Sequence, residues 1–441
     1  MKIKFFSIAF MLLSVICNAQ NPIIQTKFTA DPAPMVYHDT VFLYTSHDED
    51  DAKGFKMLNW LLYTSTDMVN WTDRGSVASL KTFDYTAENG AWAPQCIPRN
   101  GKFYLYVPVA RKGTSMGIGV AVSDSPYGPF KDAIGKPLIA GNSNGDFDPT
   151  VYIDDDGQAY LYWGNPNCYY VKLNPDMVSY SGDIVKIDSK PANYQEGPWF
   201  YKRNSHYYLA YASTCCPEGI GYAMSDHPTG PWVYKGMIMD GAPISSGNHP
   251  GIIDYKGNSY VFGFNYALNW KITNIHHERR SICVEKLTYN ADGSIQKLPF
   301  WSTEGTEQIG KINPYQRVEA ETIALSSGVQ TAGDSQSGVY VTGIDNTDYI
   351  KVRGADFGSG AKSFTAAVAS STKGGYIEIH LDSPTGKLAG TCIVKNTGGD
   401  KNWANVSCDI KDTKGVHDIY LVFRGGEWHL FNFDWWKFTA K

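Results

Sequence analysis

Three acids along this chain, Asp31, Asp148 and Glu196, stand at or just before a proline, in Asp31-Pro32, Asp148-Pro149 and Glu196-Gly197-Pro198. Three carboxyl groups brought to one place suffice to hydrolyse a glycosidic bond by inversion. One takes a proton from the attacking water and one gives a proton to the leaving oxygen. The third keeps that acid protonated near neutral pH. An Asp-Pro step alone signifies little, because it is common in turns. Register is what joins these three. Each precedes a Tyr/Phe-rich segment at a near-constant distance, as do Trp92 in Trp92-Ala93-Pro94 and His249 in His249-Pro250. The segments are TVFLY at 40–44, KFYLY at 102–106, QAYLY at 158–162, HYYLA at 206–210 and NSYVF at 258–262. With Phe42, Tyr104, Tyr160, Tyr208 and Tyr260 aligned, the leading residue lies 11, 12, 12, 12 and 11 positions earlier.

The repeat length runs 62, 56, 48 and 52 residues, which suits a four-stranded propeller blade with insertions. In a propeller the same position of every blade faces the central axis, so the five leading residues are expected to converge there. A second echo supports blades. Residues 121–130 (AVSDSPYGPF) recur at 223–232 (AMSDHPTGPW) and loosely at 63–71, each reading as an outer strand, a tight turn and an aromatic packed between blades. Turn clusters such as Asp154-Asp155-Asp156-Gly157 punctuate short strands. After Trp301 the pattern changes: 306–315 reads as a linker, and 316–441 alternates strand and turn without the 12-residue offset. The expected class is all-β, a five-bladed β-propeller over 20–305 followed by a β-sandwich (jelly-roll) module over 316–441.

The net charge of −5, without a basic block, gives no support to nucleic-acid or anionic-membrane binding. The 12 Trp and 29 Tyr fit strand packing first, and sugar stacking for the remainder. Residues 1–19 read as a signal peptide. Lys2 and Lys4 precede an apolar run at 5–17, and Ala19 offers a small residue for cleavage before Gln20. No later stretch approaches the ~20 apolar residues of a membrane helix. A secreted or periplasmic, monomeric protein is expected. Export permits disulfides. Cys392 and Cys408 could pair, whereas the adjacent Cys215 and Cys216 read as two reduced thiols at a pocket rim, because a vicinal disulfide is strained.

At the five axial motifs, with Phe147-Asp148-Pro149-Thr150 and Gly247-Asn248-His249-Pro250-Gly251 in full, residues 20–305 resemble glycoside hydrolase family 43. That family comprises inverting α-L-arabinofuranosidases, β-xylosidases and arabinanases on a five-bladed propeller. The resemblance implies that Asp31 is the general base, Glu196 the general acid and Asp148 the pKa modulator. It implies that Arg280, or its neighbour Arg279, points at the sugar hydroxyls and the acid, and that Trp92 flanks the sugar rather than only packing the axis. His249 would face an axial calcium, or else be a hydrogen-bonded channel histidine. Residues 316–441 resemble carbohydrate-binding module family 6 at VEAE (318–321), DNTDYIK (345–351), GVHDIYLVF (415–423) and FNFD (431–434). This implies a structural calcium on Glu319, Glu321 and Asp434, and a sugar cleft using Asn432. Gly343 and Asp400 stand where the two cleft aromatics belong; either Trp403, Trp428 and Tyr340, nearby in sequence, compensate or the cleft is degenerate.

The activity implied is exo-release of pentose, α-L-arabinofuranose from arabinoxylan first and β-xylosidase action second, without an organic cofactor. Plant cell-wall polysaccharide (arabinoxylan, xylan, arabinan) would be the partner. A sugar-binding propeller without catalysis is the reading from another class, and the intact acids argue against it.

Overall fold

In TVFLY, successive side chains are buried on opposite faces of the strand. Val41 and Leu43 pack with Trp71, Phe262 and Ile282, whereas Phe42 and Tyr44 pack with Leu105 and Phe130. A strand buried on both faces lies inside a sheet stacked between two others, which is the condition of every blade in a closed ring. The computed structural model describes residues 20–113, 115–141, 145–188, 191–242, 248–334, 337–426 and 428–441. The leader at 1–19 and Gly247 of the fifth axial motif lie outside them.

Five antiparallel sheets follow in chain order. Blade 1 comprises Phe28–Tyr37, Thr40–Asp48, Asn59–Ser65 and Trp71–Ser79. Blade 2 comprises Gln95–Arg99, Lys102–Ala110, Met116–Ser123 and Lys131–Asp132. Blade 3 comprises Thr150–Ile153, Ala159–Trp163, Tyr169–Leu173 and Tyr180–Lys186. Blade 4 comprises Tyr194–Arg203, His206–Ser213, Ile220–Ser225 and Val233–Met239. Blade 5 has Gly251–Tyr255, Asn258–Asn265 and Ser281–Leu287. Its missing edge is supplied from the other end of the propeller. Ile23 donates to the Ile282 carbonyl (2.8 Å), and the Asn21 amide exchanges hydrogen bonds with the Val284 backbone (2.9 and 3.1 Å). The ring therefore closes by pairing residues far apart in sequence.

The echoed aromatics pack between blades, as their spacing suggests. Phe130 stands edge-on to Tyr44 at 6.2 Å, Trp232 to Tyr162 at 6.2 Å and Trp71 to Phe262 at 6.0 Å. Tyr44 and Tyr162 cap the turns through Pro126 O and Pro228 O.

The second domain is a sandwich of a six-stranded and a five-stranded sheet, with Phe364, Trp436, Phe438 and Phe423 in its core. It is fastened to the propeller. Thr322–Ile323 pairs antiparallel with Trp71–Ser79, extending blade 1 by a fifth strand and covering an edge that would otherwise offer open pairing groups. Lys27 and Thr331 both bond Asp73 (2.6 and 2.7 Å), and the Asn70 amide clasps the Arg353 backbone through two hydrogen bonds. The connecting segment is pinned as well, Ile309 to Asp67 O (2.9 Å) and Ile312 to Gly354 O (3.0 Å).

The cysteines differ from expectation. Cys215 and Cys216 are joined as a disulfide in an exposed turn after His206–Ser213. Cys392 and Cys408 remain two thiols, hydrogen-bonded to each other rather than bridged. Cys96, Cys168 and Cys283 are buried core fillers.

Candidate active site

The residue before proline sets the geometry. Asp31, Asp148 and Gly197 all adopt positive φ, at 51°, 58° and 59°. This left-handed step is rare for residues with a side chain. In blades 1 and 4 it coincides with a break in strand register, between Ala30 and Ala33 and between Glu196 and Trp199. Such a bulge re-aims side chains, here toward the axis. The structural counterpart of the two aspartates is thus Gly197, and Glu196 enters from one residue earlier. A side chain at Gly197 would bring its Cβ within 2.9 Å of His249 Nδ1, so glycine is required on two counts.

Asp31, Asp148, Glu196, Trp92, His249 and Arg280 line one pocket of about 450 Å³. Asp31 and Asp148 are each 6% exposed. Asp31 Oδ2 accepts from the Ser46 hydroxyl (2.6 Å) and Oδ1 from Arg280 Nη1 (2.9 Å). These two donors orient it as a proton acceptor. Glu196 Oε2 accepts from the Asn165 amide. Desolvation raises the Glu196 pKa, with Asn165 opposing and Asp31 adding to the rise. Asp148 Oδ2 accepts the Gly197 N–H (3.1 Å), which ties it to the backbone beside the acid. Burial, then Glu196 and Asp31, push Asp148 well above the carboxylate range. Burial and the neighbouring Asp31 thus push Glu196 in the direction a general acid needs, while Asp31 is held by two donors as a general base requires.

Arg280, rather than Arg279, is the arginine of the site. Its guanidinium grips Asp48 through Nε (2.9 Å) and Nη2 (2.8 Å), and lies 5.0 Å from the Phe264 ring centre. Arg279 stacks over Phe28 instead. Arg280 thus bonds the base, and its charge also reaches the acid Glu196. Trp92 stands at the pocket wall. Its ring lines the pocket edge-on to Phe147 (5.4 Å), and its carbonyl accepts the Trp60 indole N–H (2.6 Å). His249 is buried, with Nδ1 3.9 Å from Asp31 Oδ1. Burial lowers its pKa, Asp31 opposes this and Arg280 adds to the lowering, so the ring is neutral. A calcium there would take most of its 6–8 oxygens from water. The carboxylate that reaches His249 has one oxygen on Ser46 and the other on Arg280.

Four polar residues of the site carried no repeated letter in the sequence: Ser46, Asp48, Asn165 and Glu218. Ser46 and Asp48 end the second strand of blade 1, opposite Ala30 and Phe28, and Asn165 follows the second strand of blade 3. Glu218 lies in the loop after the second strand of blade 4 and is raised to about 8, by burial first and then by Glu196. The native chain therefore holds this proton to higher pH than the unfolded chain does. Its contribution to stability is complete below the ordinary carboxyl value and lost as pH rises through about 8. The melting temperature is expected to fall between pH 5.5 and 8.5, and Glu218→Gln to flatten that slope. An unchanged slope would contradict the assignment.

In the module, Asn432 is held by the Thr342 hydroxyl (2.7 Å) and donates to Asp400 O (2.8 Å). Trp403 is half-buried, donating to Ser337 Oγ (3.0 Å) and edge-on to Tyr340. Trp428 is 81% exposed. Glu319 is taken up by Arg317, which also lies 3.7 Å from Asp434. Among the described residues no three His, Cys, Asp or Glu side chains already stand as a metal-binding group.

Residues 19–295 match the model of glycosyl hydrolases family 43, and residues 319–440 that of carbohydrate binding module family 6. The chain is 36% identical over 480 residues to an arabinoxylan arabinofuranohydrolase of Bacillus subtilis, covering 96% of this chain and 92% of that protein. A crystal structure of a family 43 arabinoxylan arabinofuranohydrolase from Bacillus subtilis, in complex with cellotetraose, superposes with a TM-score of 0.84. It has 33% identity and covers 96% of this chain and 98% of that one. A β-xylosidase of Xylanibacter ruminicola is 26% identical over 63% of this chain and 98% of its own length. Five blades, three axial acids and a full-length match agree: the chain belongs to glycosyl hydrolases family 43, with a family 6 carbohydrate-binding module appended.

Proposed function

We propose that this glycoside hydrolase releases α-L-arabinofuranose side chains from arabinoxylan with inversion. The observation that carries the substrate is the likeness to arabinoxylan arabinofuranohydrolases across both domains. The pocket supports a single-sugar mode of attack, since it is of small-ligand size and walled by Trp92 and Phe264. Asp31, held by Ser46 and Arg280, deprotonates a water on one face of the sugar. Glu196 protonates the departing oxygen on the other, and Asp148 restrains the backbone beside Glu196. Release of arabinose from arabinoxylan and from p-nitrophenyl α-L-arabinofuranoside, compared with xylose from the matching β-D-xyloside, tests this. Preference for the xyloside would favour the β-xylosidase reading, which the xylosidase relatives motivate. Export with cleavage near Ala19 belongs to the same proposal, and the Cys215–Cys216 disulfide suits an oxidising compartment.

The module would hold calcium on Glu319, Glu321 and Asp434. Glu321 is buried with Oε2 lacking a hydrogen-bond partner, and Ala320 N bonds Asp434 O (2.8 Å), which places the carboxylates on adjacent positions. They are hard oxygen donors, and a cation would relieve their mutual repulsion once it displaced Arg317. Millimolar calcium is expected to raise the melting temperature of the full chain by about 5 °C over chelated protein. Glu321→Gln should abolish that difference; no shift in the parent protein would rule the site out.

Polysaccharide contact by the module would rest on Trp428, whose face is free, more than on Trp403. In a full-length Glu196→Gln background, Trp428→Ala is expected to weaken retention by arabinoxylan about 5-fold, the scale of one ~1 kcal/mol stacking contact. Affinity electrophoresis would show it, and unchanged retention would exclude Trp428.

A further inference from the structure

Glu218 is a buried acid of the catalytic pocket with no part in the steps above. It lies in loop 214–219 between His206–Ser213 and Ile220–Ser225, on the blade that carries Glu196. Tyr194 pairs with Ser213 and Glu196 with Ala212, so this loop leaves the sheet directly beside the acid. Glu218 is 4% exposed and lines the pocket. Its Oε2 accepts the N–H of Asn248 (3.2 Å), next to His249. The charged and titratable groups near it are Glu196 from its own blade, Asp31 from blade 1, Asp148 from blade 3, and Arg280 with neighbouring His249 from blade 5. Three carboxyls thus oppose one guanidinium, which Asp31 and Asp48 already engage. In this field the side chain stays uncharged at neutral pH, and an uncharged carboxyl offers an O–H donor as well as acceptors. Among the described residues, its one hydrogen-bond partner is the Asn248 N–H. A buried polar group with spare bonding capacity in a pocket wall is stabilised when a ligand completes it.

We propose that Glu218 is a substrate-binding residue of this site, its carboxyl hydrogen-bonding a hydroxyl of the sugar held between Asp31 and Glu196. The role rests on the pentosidase reading and extends it. The position is fixed from two sides, by the sheet of blade 4 and by the Asn248 backbone. A group so placed reads the substrate by a specific hydroxyl, and substrates lacking that hydroxyl leave it unpaired.

The experiment measures kcat/KM of full-length wild type, Glu218→Ala and Glu218→Gln on p-nitrophenyl α-L-arabinofuranoside and its 2-, 3- and 5-deoxy analogues. Glu218→Ala is expected to lose at least ~30-fold on the parent glycoside, the scale of a buried hydrogen bond. On the one analogue lacking the contacted hydroxyl, that loss should shrink to within ~3-fold. Glu218→Gln can still accept from Asn248 and donate to the sugar, so it should retain more activity while shifting the ratio for the same single hydroxyl. Equal losses on all four substrates would overturn the proposal, as would full activity of Glu218→Ala on the parent. Should Glu218→Ala not fold, Glu218→Gln decides: deoxy ratios identical to wild type overturn it. If wild type itself prefers the β-D-xyloside, the substrate reading fails, and the same comparison on deoxy-xylosides still decides the role of Glu218.

Discussion

Glu196→Gln and Asp31→Asn are each expected to lower kcat on arabinoxylan by at least ~10³-fold with the fold intact, the scale of losing a general acid or base. Both replacements keep size and hydrogen bonding. The amide that Glu196→Gln introduces can still face Asn165, and the one that Asp31→Asn introduces can still accept from Ser46 or Arg280. What each removes is a proton transfer. The two differ in what can replace that transfer. An aryl leaving group of low pKa departs without protonation, so a dinitrophenyl arabinofuranoside should recover much of the Glu196→Gln loss. It should recover little of the Asp31→Asn loss, because water must still be deprotonated on the opposite face. Equal recovery in both variants would mean that the two roles are wrongly assigned, and recovery of Asp31→Asn alone that acid and base are exchanged. The pH profile carries a second signature. Desolvation holds Glu196 above the ordinary carboxyl value, so activity should persist to higher pH than a free carboxyl would allow, and decline as the acid ionises.

The axis of this protein is legible in the amino-acid order because a propeller converts sequence period into spatial convergence. Asp31, Asp148 and Glu196 keep a near-constant offset from their strands and share a pocket, although Glu196 enters one residue ahead of Gly197, the backbone counterpart of the two aspartates. What the period could not show was anything set by a different strand. Ser46, Asp48 and Asn165 sit at or past the ends of second strands, where the blades have diverged and no letter repeats. Glu218 lies in a loop marked in the sequence only by its adjacent cysteines, which form the Cys215–Cys216 bond rather than two thiols. The seam between domains was equally silent. Thr322–Ile323 is too short to carry a strand pattern, yet it extends blade 1 and joins the module to the propeller. A two-residue strand is recognised only by its partner.

The second large effect concerns the support beneath the base. Arg280 is 5% exposed and Asp48 is fully buried, and they meet through two side-chain hydrogen bonds plus one from the Arg280 backbone. Arg280→Leu removes the cation and leaves Asp48 charged, desolvated and without its partner. Breaking a buried pair on one side costs about 3–5 kcal/mol. Thermal or urea denaturation of Arg280→Leu should show a loss of that order. Removing Asp48 as well takes away one of the two buried carboxylates that the guanidinium served, while Asp31 remains with Ser46 alone. The double variant Arg280→Leu/Asp48→Leu should therefore regain part of the lost stability. Activity should not return with it, because Asp31 Oδ1 still lacks the Arg280 donor that aims it at water. Arg280→Lys should fall between them, as one ammonium cannot reproduce a fork that holds Asp48 at two points while reaching Asp31 with a third N–H. If the double variant is no more stable than Arg280→Leu, the pair does not compensate its own burial. If it regains activity, Asp31 does not depend on Arg280 for its orientation.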